Sequence, residues 1–341
     1  MVMNELAYLY GTPQVTGDYK QNFEDFIVRE DLGFEPDGAG EHVMVYLRKR
    51  DCNTTFVAEH LAKFAGIHPK NVSYAGLKDR HGVTEQWFGL HMPGKETPDF
   101  SQFTLEGCEV LTVTRQSKKL RTGVLKGNYF ILVLRNVSNK EELEARLQQI
   151  QQSGVPNYFG EQRFGRDNSN INNALLWAKG EIKVKDRNKR SFYLSAARSA
   201  IFNDMVSERI IRQLDKKVLT GDAIQLAGRG SWFVVKADEV EQVQTRLEAN
   251  ELRITAPMVG DNALGSQLDA LSFEESCLIE KWQPLLSLFK QERVETARRA
   301  ILLQPEQLAW KWLDAQTIEL NFWLNAGSYA TSVLRELMQQ K

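Results

Sequence analysis

The chain has 341 residues, more than one domain usually needs, and its length predicts two. With 42% hydrophobic and 26% charged residues its composition is globular, which excludes extended disorder and fibrous repeats. Its 43 basic and 44 acidic residues leave a net charge of −1, which argues against a purely electrostatic, histone-like binder of nucleic acid.

The longest apolar run, YFILVL at 129–134, is far too short to cross a bilayer. The N-terminal stretch carries an early Glu5 and no basic region, so it lacks the form of a secretory signal. Cys52, Cys108 and Cys277 are far apart and form no CxxC pair, which excludes a disulfide scaffold and fits a reducing cytoplasm. None of the five histidines stands in an HxxxH or HExxH arrangement, so no metal is expected. The charge balance hides local unevenness. Seven acidic residues and one Arg29 fall within 24–41, five basic and no acidic residues within 115–126, and six basic residues against Asp186 within 183–198. Binding a polyanion needs local rather than global positive potential, although a single charge run is commonly a solvated face.

The first third reads as mixed α/β. Val43, Val45 and Leu47 alternate as in a half-buried strand. Asn53 then caps a helix carrying Phe56, Val57, Leu61 and Phe64, which Gly66 ends. Short extended stretches follow at 72–75, 86–92 and 110–114, and the 129–135 run predicts a strand in the middle of a sheet. Ser138 and Glu141 predict a capping box, opening a helix with Leu143, Leu147 and Ile150. The middle third changes texture. Residues 194–214 have helical periodicity, and Asp238/Glu241 and Ser272/Glu275 predict two further capping boxes. The second of these helices should run to about Phe289 and be kinked or broken at Pro284. Residues 232–235 are strand-like. Ile318, Leu320, Phe322 and Leu324 then predict a strand, followed by a turn and a C-terminal helix led by Ser328.

Four polar clusters could carry chemistry. GLKDRHGVTEQW at 76–87 lies between two strand candidates, where catalytic groups are commonly mounted. Lys78 and Arg80 flank Asp79 and favour its ionised form, which suits a nucleophile or base; a charged β-turn is the plainer reading. NYFGEQRFG at 157–165 suits stacking and hydrogen bonding to a base, or equally a tight turn stapled by Phe159 and Phe164. In KGNYF at 126–130, Asn128 could read a base edge and Phe130 could stack, or the pair could be a turn and a core residue. AGSYAT at 326–331 offers free backbone N–H groups to an anion, or simply an N-cap with Tyr329 packed beside it. No GxxxxGK[ST], GxGxxG or GxSxG occurs, which points away from nucleotide- and dinucleotide-dependent chemistry.

The 76–87 run closely resembles the catalytic motif of the TruD-type tRNA pseudouridine synthase family, the bacterial tRNA pseudouridine(13) synthases. Six other segments match that family in order: Lys20 with EDFIV at 24–28, KGNYF at 126–130, NYFGEQRFG at 157–165, RNKR…SAAR at 187–198, GD…LAG at 221–228 and AGSYAT…RE at 326–336. The resemblance implies an α+β fold: a pseudouridine synthase mixed-sheet catalytic domain from residues 1–153 plus 304–341, and a mostly helical inserted TRUD domain from 154–303.

The implied reaction is isomerisation of uridine to pseudouridine in tRNA, usually uridine 13 of glutamate tRNA. The N1–C1′ bond breaks, the base rotates, and C5 bonds to C1′. Reactant and product are isomers, so no cofactor and no metal are implied. Asp79 matches the catalytic aspartate, which would attack C1′ or remove the 2′ proton. The target base must first be extruded from the folded RNA. Phe130 aligns with the aromatic held against the flipped ring, where many pseudouridine synthases have a tyrosine. Phe26, Asn128 and Tyr329 match positions expected to contact the substrate nucleotide, and Lys20 and Arg163 match positions suited to backbone or carboxylate pairing. Tyr329 stands where a plain aromatic would also serve, so its hydroxyl need not act.

The expected partner is tRNA, with no membrane and no protein partner; the expected state is a cytoplasmic monomer. Two competing readings are a tRNA-binding folding helper whose catalysis is secondary, and a carbohydrate enzyme with paired carboxylates for which Glu85 is the nearest second acid.

Overall fold

The 129–134 run lies within the strand Gly127–Arg135, which takes a neighbour on each side in the largest of the three sheets among the described residues. The computed structural model describes residues 5–340, divided between two units. The unit that holds this strand comprises Pro13–Gln151, Pro305–Ala330 and the chain from Leu337 onward. Its sheet runs, edge to edge, Glu306–Trp312, Ile318–Asn325, Gly127–Arg135, Phe26–Asp31, Val83–His91, His42–Arg50 and Cys108–Gln116. All neighbours are antiparallel except Phe26–Asp31 and Val83–His91. The parallel pair needs a crossover, which contains the helix Thr54–Phe64.

Strand alternation sorts the side chains. Val28, Phe130 and Phe322 form one cross-strand row and Phe26, Leu132 and Leu320 the next, on a shared face. Val43, Val45, Leu47, Phe88 and Leu90 bury against Val57, Ala58, Leu61 and Ala62 of the helix. The strand Thr16–Tyr19 lies alongside Gly127–Arg135 through Asp18 and Tyr19, opposite Arg135 and Leu134. Phe26 resumes the pairing at Leu132, so residues 20–25 leave and rejoin what is nearly one edge.

The other unit comprises the chain through Thr12, Gln152–Gln304 and Thr331–Glu336. Its long helix Arg187–Ile211 buries Ala196, Ala197, Ala200, Ile201 and Met205 and is capped by Asp186, whose carboxylate accepts from the Lys189 N–H. An antiparallel sheet of Trp232–Val234, Ala223–Leu226, Leu252–Met258 and Ala297–Ala300 stands with it. Buried Arg209–Asp222 and Arg298–Glu274 pairs, at 2.6 and 2.8 Å, tie this unit internally. Among the described residues no helix is long and apolar enough to cross a membrane.

Three predicted capping boxes are displaced. The helix Lys140–Ser153 has its first turn closed by Asn139, which accepts from the Glu142 N–H, while Ser138 accepts from the Thr16 N–H instead. Glu239 rather than Glu241 reaches back, to the Lys236 N–H, ahead of the helix Val240–Glu248. Ser272 lies inside the helix Leu268–Cys277, and Pro284 opens a separate helix, Gln283–Gln291. Proline lacks an N–H and is tolerated in a first turn, where that donor has no intrahelical partner.

Gly127 opens its strand in a space with no room for a side chain. A Cβ there would lie 2.3 Å from a ring carbon of Trp323 and 2.4 Å from the Leu324 carbonyl oxygen. The Trp323 ring cannot swing away freely, because its Nε1–H donates to Asp31 at 3.0 Å. Gly127→Ala is therefore expected to cost about 1–3 kcal/mol of stability by overpacking. Urea unfolding at unchanged m measures it, and an unshifted midpoint would mean that the ring yields.

Candidate active site

Residues 75–82 join the paired strands Val72–Tyr74 and Val83–His91. Several bonds hold this loop. The Lys78 N–H donates to Thr54 Oγ1 at 3.1 Å, and the Thr54 hydroxyl donates to Gln86 Oε1 at 2.9 Å. Lys78 Nζ lies 2.7 Å from Glu30 Oε1, and Glu30 Oε2 accepts the Trp87 N–H at 2.8 Å. Burial pushes the Glu30 carboxyl upward, and Lys78 opposes that shift. Lys49, fully buried, donates from Nζ to the main-chain oxygens of Cys52 at 2.7 Å and Asp79 at 2.9 Å. Arg80 pairs with Asp51 at 2.9 Å. Gly82 closes the loop with a φ of +149°, and a Cβ there would stand 2.7 Å from the Phe26 carbonyl oxygen.

These bonds leave the Asp79 carboxylate partly open, with its side chain 37% exposed, and 3.0 Å from Lys20 Nζ. Lys20 comes from the 20–25 excursion and adopts the left-handed region, φ +59°, which is sparsely populated by residues other than glycine. Asp25 anchors the far end of the excursion by a two-pronged pair with Arg135, at 2.8 and 2.9 Å. Burial alone would raise the Asp25 carboxyl; the Arg135 fork and the Asn22 N–H bring it below its ordinary value.

Lys20 Nζ also lies 3.8 Å from the centre of the Phe26 ring. Phe26 meets Phe130 edge-on at 6.3 Å, and Phe130 stacks on Phe322 at 5.5 Å. Asp79, Lys20, Phe26 and Phe130 thus form one connected chain of contacts. Asn128 stands on the same face, opposite Glu30 on one side and Leu324 on the other. Its Oδ1 is buried and accepts no hydrogen bond within the described chain. Tyr329 lies past the Asn325–Gly127 pair, in a turn held by the Ser328 N–H on the Asn325 oxygen and the Ala326 N–H on the Lys126 oxygen.

Arg163 belongs to the other unit, where it donates to Ser195 at 3.2 Å and lies over the Phe159 ring. The aromatic-rich 157–165 segment is mainly a packing element. Tyr158, Phe159 and Phe164 are buried, and the Asn203 amide bonds both the N–H and the oxygen of Phe159 at 2.9 Å. Glu85 faces away from Asp79. It sits on the opposite face of its strand from Thr84 and Gln86, buried against Arg29, Arg48 and Tyr46. A paired-carboxylate site with Asp79 is excluded on that ground. Part of each basic run is structural. Arg115 is spent on Thr97 and the oxygens of Gly40 and Lys95, and Arg198 on those of Met258, Val259 and Glu295. Lys118, Lys119 and Arg121 remain exposed, as do Lys183, Lys185, Arg187 and Lys189.

Among the described residues no group of three His, Cys, Asp or Glu is placed to hold a metal. Sequence reasoning passed over Lys49, Glu30 and Gln86. Each is polar yet falls in phase with buried apolar neighbours, Lys49 after Val43, Val45 and Leu47, and Glu30 after Phe26 and Val28. That phase is the signal that could have found them.

The sequence model of the family described as tRNA pseudouridine synthase D (TruD) matches residues 2–176 and 177–337. A tRNA pseudouridine synthase D of Pectobacterium atrosepticum is 61% identical over 337 residues, covering 99% of this chain and 97% of its own. A crystal structure from Methanosarcina mazei, described as a candidate tRNA pseudouridine synthase D (TruD), superposes with a TM-score of 0.74 at 24% identity, over 98% of this chain and 96% of that one. The fold is thus shared well beyond close sequence likeness.

Proposed function

Because this chain belongs to the tRNA pseudouridine synthase D (TruD) family, we propose that it acts on uridine 13 of tRNA, glutamate tRNA above all, with Asp79 as the reacting carboxylate. It is an isomerase that converts uridine to pseudouridine in tRNA. The observation that carries the residue assignment is the Asp79 carboxylate, 3.0 Å from Lys20 and partly open, beside the Phe26–Phe130–Phe322 cluster.

The chemistry follows from the groups present. The carboxylate has the Lys20 ammonium as its ion-pair partner. The reaction needs it in the ionised form. That form is required both for attack at C1′, which gives an ester, and for removal of the 2′ proton. The phenylalanines supply an apolar wall for the extruded base, and Phe130 has no hydroxyl to exchange protons. The buried Asn128 Oδ1 suits the N3–H of uracil. Tyr329 adds a ring from the turn beyond Asn325. Redox state and composition are unchanged across the reaction, so neither nucleotide nor metal is needed for balance. We assign catalysis to a domain of residues 1–153 plus 304–341 and tRNA docking in part to 154–303, in a monomeric, cytoplasmic protein.

Asp79→Asn should abolish pseudouridine formation while leaving tRNA binding largely intact. Substantial turnover by the verified variant would refute the assignment.

Phe130 is 8% exposed and packed on both sides, so its substitution must be read with stability. Phe130→Tyr should keep much activity if the pocket admits one oxygen. Phe130→Ala should lose stacking of about 1–3 kcal/mol on the target base. If the folded fraction of Phe130→Ala turns over normally, the ring is only core.

Neutralising Lys118, Lys119 and Arg121 together should weaken tRNA affinity and flatten its salt dependence. Each lost phosphate contact removes about 0.7–0.9 from the slope of log K against log salt. An unchanged slope would make this loop a solvated face.

A further inference from the structure

We propose that Lys49 is the positioning residue of the active site: from beneath the loop its ammonium fixes the main chain of Asp79, and so the bearing of the carboxylate on Lys20. The inference rests on Asp79 as the reacting carboxylate. Lys49 is the one lysine among the buried polar residues described, with no solvent exposure. Its Nζ ties together two segments that meet at the site, the turn at Cys52 and the loop at Asp79. The turn at Cys52 leads directly into the helix Thr54–Phe64, whose first residue receives the Lys78 N–H. Lys49 therefore joins the rigid base of the helix to the residue that reacts.

A buried cation is expensive unless it is paired and hydrogen-bonded, and an apolar side chain of similar length would fill the same slot at less cost. The fold carries the cation where it donates to two carbonyl oxygens, one of them that of Asp79. The groups facing it are known from each neighbouring element. Thr84 and Cys108 lie across from it on the adjacent strands, Cys52 is in the turn, Lys78 and Asp79 are on the loop, and Glu30 on the Phe26–Asp31 strand is spent on Lys78 and the Trp87 N–H. Burial draws the Lys49 ammonium down to about 8; Cys52, Cys108 and Asp79 oppose that shift and Lys78 adds to it. Loss of the proton leaves two donors but removes the charge that roughly doubles the strength of each bond. The grip on Asp79 should then slacken within an accessible pH range.

The test is single-turnover conversion of tRNA by the full-length enzyme at saturating concentration, with tRNA affinity measured in parallel. Misplacing a reacting group by about 1 Å costs up to roughly a hundredfold in rate, so Lys49→Met should lose about that much. Its tRNA affinity should stay within about threefold of the parent, because the lost contacts touch no RNA. The parent rate should fall as pH rises through about 8, and the variant should lack that fall. A folded Lys49→Met with near-parental rate overturns the proposal. So does an alkaline fall of equal size in both proteins, which would belong to the RNA. If Lys49→Met does not fold, the parent decides. A rate that is flat up to about pH 9.5 overturns the role, and a fall that tracks the titration of a single lysine Nζ resonance supports it. Asp79→Asn is scored separately, so failure of the underlying assignment is distinguishable from failure of this one.

Discussion

The ion pair between Lys78 and Glu30 is the constraint on which the site depends. It joins a loop residue to the middle of a sheet, at 2.7 Å, with the Glu30 side chain wholly buried. Breaking such a pair from one side costs about 3–5 kcal/mol, because the survivor is left charged and unpaired. That cost is what a flexible loop needs to keep one geometry. Residues 76–82 contain two glycines and would otherwise sample many. With Lys78 tied down, the main chain at its neighbour Asp79 is held in place beside Lys20. The Thr54–Gln86 bond and the Lys49 clamp act on the same short stretch from other directions. The main chain at Lys78 and Asp79 is thus held from several sides, while the Asp79 carboxylate stays partly open.

The second half of the site comes from an interruption. The edge that begins at Thr16 and resumes at Phe26 could run almost unbroken beside Gly127–Arg135. Instead six residues loop out, and the loop begins at Lys20 in a left-handed conformation. Such a backbone persists only where its surroundings enforce it. Here the Arg135 fork on Asp25 closes the excursion, and the Asp79 carboxylate receives the Lys20 ammonium. Asp25 lies below its ordinary pKa in the folded chain, so it stabilises the fold above the unfolded carboxylate range and stops doing so as acid titrates it through its lowered value. The excursion, and with it Lys20, should therefore outlast carboxyls at their ordinary value as the pH falls.

Much of this was legible in the residues, and the reasons differ by level. Strands with strict alternation or a continuous apolar run could be read directly, since one face of a sheet must be dry. The 76–87 cluster could be read because it concentrates charge between two such strands. Helix starts were read less well. Ser138 and Ser272 both precede a glutamate by three residues, yet one is taken by the Thr16 N–H and the other sits inside a helix. A capping box is local, and tertiary hydrogen bonds compete for the same serine. Lys49 and Glu30 escaped for a related reason. Charge on a strand reads as solvent exposure, and only the phase of the alternation says otherwise.

Phe130, as a proposed site residue, shows why fold and site are hard to separate in this chain. It lies in an interior strand of the sheet, opposite Val28 on one side and Phe322 on the other, and buries nearly all of its surface. By packing it is a core residue. Through Phe26 it is also one contact away from Lys20, whose ammonium holds Asp79. An aromatic that flanks a reacting base must be rigid, because a ring free to turn would surrender stacking energy to its own entropy. The least costly source of rigidity is the core itself. The site is therefore not a pocket added to a finished sheet. It is the place where the hydrophobic face of the sheet runs out, and the last rings of the core meet the first charges of the loop.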